Sequence, residues 1–141
     1  MQDKITTLKQ QLSGGVSPAM ATPLRVDGVT VNTAVIPTLV DFLIERGVSG
    51  LFVAGTTGEG ILLDVAQRQR LAAATVEAVN GRVPLILHVG ANRTDQTIVL
   101  ARHAAELGAD AIAAVTPYYY GLDDDGLTAY YTQIATAVPT T

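Results

Sequence analysis

Short apolar runs alternate with longer stretches of helical spacing along the whole chain. The first run covers residues 16–21 and ends at Thr22-Pro23. After a turn at Asp27-Gly28, residues 31–46 predict a helix with Val35, Leu39, Phe42 and Leu43 on one stripe. Pro37 falls early in that helix. It predicts a late start or a kink, because proline lacks an N–H and its ring collides with the preceding turn. Gly47 suits the position just past a helix end. The second run is 50–54. A second helix opens at Asp64, with Gln67 three residues on as a variant capping box, and extends to Asn80, where Gly81 ends it. The third run is 85–89, followed by Gly90-Ala91-Asn92. Thr94 is the expected cap of a third helix in which Ile98, Ala101, Ala105 and Leu107 keep helical spacing, and Gly108 closes it. The fourth run is 111–115, and a last helix covers 126–137.

The strand starts near Gly15, Gly50 and Pro84 recur about every 35 residues. Four βα units in series predict an α/β protein with parallel strands. Short continuous apolar strands are expected to be covered on both faces. Two architectures fit: an open doubly wound sheet, or half of a (β/α)₈ barrel. The 141 residues form a single domain, with 1–14 as a polar amino-terminal segment. In either architecture functional groups gather on the loops after the strands. Those loops hold Thr22-Pro23, the glycine-rich 55–60, Gly90-Ala91-Asn92 and the 116–121 stretch.

Composition narrows the function. The chain is 48% hydrophobic, yet no apolar run reaches the roughly 20 residues of a spanning helix. The first dozen residues are polar and lack the apolar core of a signal peptide, which reads as a cytoplasmic protein without a membrane partner. The absence of cysteine excludes disulfides, thiolate catalysis and cysteine zinc sites. A net charge of −4 without a basic stripe argues against nucleic acid.

The segment Gly55-Thr56-Thr57-Gly58-Glu59-Gly60 is the main chemical signal. It follows the apolar Leu51-Phe52-Val53-Ala54 at the carboxyl end of a strand. Backbone N–H groups freed by a glycine-rich turn, with two hydroxyls beside them, suit a small carboxylate. The spacing matches neither the dinucleotide fingerprint nor a P-loop, and leaves a plain flexible loop as the other reading. Glu59 reads as a general base or, more simply, as a loop brace. The adjacent Tyr118, Tyr119 and Tyr120 read as rim packing with wet hydroxyls, against a proton-relay role for one of them. His88 within a strand reads as a hydrogen-bonded core residue, and no metal ligand set accompanies it. His103 is expected to be exposed. Asp123-Asp124-Asp125 places negative charge at a helix start. Ser13, Ser17 and Ser49 have no histidine partner visible in sequence. The only lysines, Lys4 and Lys9, precede the first strand, so no strand offers an amine nucleophile.

The turn Gly55-Thr56-Thr57-Gly58-Glu59, the Gly90-Ala91-Asn92 after the third strand, Thr116-Pro117-Tyr118-Tyr119 after the fourth and Thr22-Pro23 after the first together resemble the dihydrodipicolinate synthase / N-acetylneuraminate lyase family. The resemblance covers nearly the whole chain and favours the amino-terminal half of a (β/α)₈ TIM barrel. It implies a carbon–carbon lyase or aldolase acting on pyruvate or another 2-oxo acid through a Schiff base on lysine, without a cofactor or metal, in an oligomer. It implies that Thr56 and Thr57 bind the substrate carboxylate, that Thr56 and Tyr119 join a hydroxyl relay often shared with a neighbouring subunit, and that Gly55, Gly58 and Glu59 shape the loop. The family's other relay tyrosine and its Schiff-base lysine sit on the fifth and sixth strands, and the sequence ends at Thr141, where a fifth strand is expected. The expectation is therefore a truncated half-barrel, inactive alone, completed by a missing carboxyl-terminal half. The alternative is a non-catalytic half-barrel that self-associates or binds 2-oxo acids. A doubly wound flavin or nucleotide domain is the third reading.

Overall fold

The computed structural model describes residues 2–138. Three parallel strands, β1 (Leu51–Val53), β2 (Leu85–His88) and β3 (Ala111–Ala113), form one sheet in the order β1-β2-β3. Helices α1 (Gln2–Leu12), α2 (Ile36–Glu45), α3 (Val65–Val79), α4 (Thr94–Glu106) and α5 (Asp124–Ala137) complete the fold, with short 3₁₀ turns at Thr33–Val35 and Gly60–Leu62. Among the described residues no helix is long and apolar enough to cross a membrane.

The expected first strand is reduced to a single bridge. Residues 16–20 run parallel beside β1, with Ala19 opposite Phe52. Phe52 N–H donates to the Pro18 carbonyl at 3.0 Å, and Met20 N–H to the Phe52 carbonyl at 2.8 Å. The ladder stops on both sides for a covalent and a conformational reason. Pro18 has no N–H to continue it. Ala54, at φ 61, turns β1 away into the left-handed region.

The layering corrects the expectation of a sheet covered twice. Leu51, Val53, Leu85, Leu87 and Val89 are buried under the helices, whereas Phe52, Ile86 and His88 on the other face are half-buried. Helices α2 to α5 pack in sequence, each on the next. Each crossover steps in the same direction along the sheet, and right-handed crossovers then place α2, α3 and α4 on one side, with α5 packed on α4. A doubly wound domain needs helices on both sides, so this arrangement removes that reading.

Local signals held where the partner is close in sequence. Asp64 accepts the Gln67 N–H at 2.7 Å, capping α3. Helix α2 starts late, with Pro37 in its first turn, where a missing N–H costs nothing. Gly47 and Gly108 stand at φ 79 and φ 78, the left-handed conformation that ends α2 and α4. Asp123 accepts the Gly126 N–H at 2.8 Å, so α5 begins at Asp124, two residues earlier than the apolar pattern indicates.

Helix phases differ from the expected stripes. Ile36 and Val40 are fully buried on α2, while Val35 and Phe42 are 43% and 50% exposed. Val35 belongs to the 3₁₀ turn before the helix, which shifts the phase by one residue. Phe42 instead lies under the Arg46 guanidinium, 5.0 Å from its ring centroid. On α4 the buried residues are Thr97, Leu100, Ala101 and Ala104, and Ala105 is exposed. Thr94 is the first helical residue rather than the cap. Arg93 occupies the cap position without capping, its guanidinium held by Asp95 at 2.6 and 3.0 Å. His103 is half-buried, not exposed.

The polar amino-terminal segment contains α1, whose Ile5, Leu8 and Leu12 share a face. Leu12 reaches the backbone of Gly50 just before β1. Ile5 and Leu8 share a groove with Gly108 and Asp110 just before β3. Helix α1 thus crosses the amino-terminal pole of the sheet.

Candidate functional site

Parallel strands point one way, so the loops after β1, β2 and β3 share the carboxyl-terminal pole. Residues 55–60 fold into a tight turn there, because side chains are sterically excluded at its glycines. A Cβ on Gly55 would meet Phe52 Cε1 at 2.3 Å. One on Gly58 would meet the Met20 carbonyl oxygen at 2.9 Å. Glu59, at φ 52, donates its N–H to the Thr56 carbonyl at 3.0 Å, and Gly60 donates to Gly55 at 3.2 Å. Thr22 Oγ1 donates to the Gly58 carbonyl at 2.5 Å and ties the turn to the loop after 16–20. Among the described residues the N–H groups of Thr56, Thr57 and Gly58 meet no acceptor. Thr56, Thr57 and Glu59 are exposed; Gly55 and Gly58 are buried. The turn therefore offers unused N–H donors with two hydroxyls beside them, an arrangement that suits an anion.

The loops after β2 and β3 are pinned together. Asn92 Oδ1 accepts the N–H groups of Tyr118 and Tyr119 at 3.1 and 3.3 Å. His88 Nε2 accepts the Val115 N–H at 3.1 Å, so that nitrogen is unprotonated. Tyr130, on α5, donates its hydroxyl to the Val115 carbonyl at 3.1 Å and lies 3.2 Å from Thr97 Oγ1. Thr97 Oγ1 in turn accepts the Ala91 N–H at 3.0 Å.

Under this pole lies a buried cation that sequence reasoning passed over. Arg68 is 5% exposed; its guanidinium donates to the carbonyls of Gly90 at 2.8 Å and His88 at 2.7 Å, while its Nε has no partner. Burial pulls its pKa below the usual arginine value, and the nearby Tyr130 and Tyr118 oppose that shift. His88 is also held below the ordinary histidine value, first by burial and then by the adjacent Arg68. A signal was present: Arg68 shares the stripe Leu71, Thr75, Val79 of α3, a charge on an otherwise uncharged face.

The structure brings Thr56 and Thr57 together on one turn but sets Tyr119 apart from them. Their loops follow β1 and β3, which β2 separates by two strand spacings, about 10 Å. Tyr119 is 75% exposed, stands edge-on to Tyr120 at 5.0 Å, and lines a cavity of 380 Å³ with Asn92, Pro117 and Tyr130 beside α4 and α5. Lys4 and Lys9 both lie on α1, at the opposite pole.

Comparison with known proteins agrees with this layout. A sequence model described as the Dihydrodipicolinate synthetase family matches residues 12–140. A probable 2-dehydro-3-deoxy-D-pentonate aldolase of Escherichia coli is 42% identical over 88% of this chain and 41% of its own length. The 4-hydroxy-tetrahydrodipicolinate synthase of Bacillus subtilis is 42% identical over 86% of this chain and 42% of its own length. The crystal structure of N-acetylneuraminate lyase from Mycoplasma synoviae superposes with a TM-score of 0.87 at 37% identity, covering 92% of this chain and 45% of that one. YagE of E. coli, solved in complex with pyruvate, superposes with a TM-score of 0.85 at 34% identity, covering 90% of this chain and 42% of that one. The chain thus spans less than half the length of these relatives, and its sheet is the amino-terminal half of their TIM barrel. Motif order, one-sided layering and these matches agree: the chain belongs to the dihydrodipicolinate synthetase family.

Proposed function

We propose that this chain carries the carboxylate-anchoring half of a lyase site that acts on pyruvate or another 2-oxo acid. The observation that supports it is the 55–60 turn, where N–H groups without acceptors and the exposed Thr56 and Thr57 stand together at the end of β1. The two threonine hydroxyls take the carboxylate, and the backbone donors share its charge. Gly55, Gly58 and Glu59 hold the turn in the shape that leaves those donors free. Thr56 has a second role, passing a proton through a hydroxyl relay that includes Tyr119. The exposure of Tyr119 and its distance from Thr56 within one chain favour a relay that serves a neighbouring subunit. A Schiff-base lyase makes or breaks the carbon–carbon bond beside the keto group through an imine formed with a protein amine. Lys4 and Lys9 lie across the molecule on α1, so this chain alone binds the acid and does not turn it over.

Titration of ¹⁵N-labelled protein with pyruvate tests the anchoring role. The amide signals of Thr56, Thr57 and Gly58 move in the unaltered chain and stay fixed in Thr56→Val. Shifts confined to other regions, or none at all, refute it. Incubation with pyruvate and borohydride followed by mass spectrometry leaves no reduced adduct; covalent labelling at Lys4, Lys9 or the amino terminus overturns the inactivity.

A further inference from the structure

β2 lies between the two strands whose following loops carry Thr56, Thr57 and Tyr119, and one side chain at its end reaches both neighbours. The ladder between β2 and β3 closes with the Val89 N–H on the Ala113 carbonyl at 2.7 Å. The next donor along β3, the Val115 N–H, goes to the His88 ring instead, at Nε2 and 3.1 Å. A backbone N–H only donates, so Nε2 is bare and the neutral ring carries its proton on Nδ1. An Arg68 nitrogen stands 3.4 Å from Nδ1, but it is a donor too and gives its hydrogen to the His88 carbonyl at 2.7 Å. The ring proton has the Ala54 carbonyl as its acceptor, at the residue just before the glycine-rich turn.

Both ends of this bridge are tightly held main chain. Ala54 is in the left-handed region, and its carbonyl oxygen lies under Gly60, where a Cβ would come within 2.0 Å of it. Phe52, edge-on to the His88 ring at 6.1 Å, backs Gly55. On the other side Val115 gives its carbonyl to the Tyr130 hydroxyl. A Cβ on Gly90 would meet Val115 N at 2.8 Å and His88 Cε1 at 3.0 Å, so only glycine lets the ring and Val115 approach. Val115 directly precedes Thr116-Pro117-Tyr118-Tyr119.

We propose that His88 is a positioning residue: one neutral imidazole between Ala54 and Val115 fixes the turn that carries Thr56 and Thr57 relative to the loop that carries Tyr119. The proposal deepens the lyase reading and rests on it for what the turn binds. A second ring proton sits on Nε2, facing the Val115 N–H, so the tie to the tyrosine loop holds only while His88 is neutral. Arg68 of α3 faces the ring and opposes that proton. His103 of α4 lines the same small cavity as His88 and Arg68, and Tyr130 of α5 reaches the Val115 carbonyl. Among the described residues the charge acting on the ring is that of Arg68, and no carboxylate offsets it.

Hydrogen exchange in the ¹⁵N-labelled full chain reads both ends. The N–H groups of Glu59 and Gly60 report on the turn, and those of Val115, Tyr118 and Tyr119 on the tyrosine loop. His88→Phe keeps a ring and removes both bonds. It is expected to speed exchange at both ends about tenfold relative to Thr75 and Ala101 within α3 and α4. His88→Gln places an amide oxygen near the Nε2 position and is expected to restore the tyrosine loop. His88→Asn places an N–H near the Nδ1 position and restores the turn alone. In the unaltered chain Val115 exchange, corrected for its intrinsic pH dependence, accelerates as the ring gains its second proton; in His88→Gln it does not. Acceleration confined to one end, equal rescue by Gln and Asn, or no response across the ring's own titration overturns the proposal. Where His88→Phe does not fold, the ring ¹⁵N signals of the unaltered chain decide: a protonated Nδ1 with a bare Nε2 supports the bridge, and the opposite tautomer overturns it. Pyruvate is the last arm. Binding that weakens in His88→Phe and returns in His88→Asn supports the proposal, and equal binding in all three proteins overturns it. An unaltered chain that ignores pyruvate refutes the lyase reading, while the exchange and ring signals still decide the role of His88.

Discussion

Gly60→Ala puts the greatest steric demand on the site. Gly60 opens the 3₁₀ turn after β1, and its position has no room for a methyl group: a Cβ there would stand 2.0 Å from the Ala54 carbonyl oxygen and 2.7 Å from its carbon. Relief to even a tight 3.0 Å contact needs a displacement of about 1 Å. The obstacle is main chain, not the free end of a side chain, and Ala54 is 5% exposed and already in the left-handed region. Overpacking costs about 1–3 kcal/mol, and a backbone collision falls at the upper end. For a domain of this size about 3 kcal/mol lowers Tm by roughly 10 °C. Gly121→Ala is the control, since a Cβ there meets nothing within 4 Å and its φ is not positive; its effect stays within about 0.5 kcal/mol. Calorimetry at one fixed protein concentration, so that association does not move Tm, reads both. A Gly60→Ala protein that melts within about 2 °C of the unaltered chain refutes the claim that the turn is sterically locked.

The depressed pKa of His88 has a defined sign: the unfolded chain binds its proton near the ordinary histidine value of 6.5 while the folded chain does not, so this contribution is complete above that pH and is lost as pH falls toward the folded value. His88→Gln therefore loses less Tm than the unaltered chain between neutral pH and pH ~5, and parallel profiles count against it. Thr97→Val leaves the buried Ala91 N–H without its acceptor and costs about 1–3 kcal/mol by urea titration; Thr97→Ser keeps the hydroxyl and is expected to recover most of that, so equal midpoints for the two variants contradict the network. Asn92→Ala removes the shared acceptor of two exposed N–H groups. Its stability changes by less than about 1 kcal/mol, but hydrogen exchange at Tyr118 and Tyr119 accelerates; unchanged exchange shows that Asn92 does not pin that loop.

What was legible in the sequence depends on how far apart the bonded groups lie. The Asp64 cap joins residues three apart, and the turn glycines act through their own φ. The strand positions follow from short apolar runs bounded by turn residues. The 55–60 turn was visible because its glycines and threonines are contiguous. Helix phase was less secure, since Val35 and Phe42 are apolar yet face solvent, one displaced by a 3₁₀ turn and the other under Arg46. Helix α1 was missed because its three apolar residues are scattered in a polar stretch and gain partners only in the folded chain, from the strand bases at Gly50 and Gly108 and from Tyr131 and Ile134 of α5.

The sequence by itself determined the order of strands, helices and loops, and which loop carries the hydroxyls, because those features arise from neighbours a few residues apart. Only the tertiary structure decided that the helices lie on one face, that Arg68 is buried beneath the pole, and that Tyr119 stands apart from Thr56. Those outcomes rest on contacts such as Thr22 to Gly58 and His88 to Val115, 36 and 27 residues apart, whose partners become neighbours only when parallel strands align.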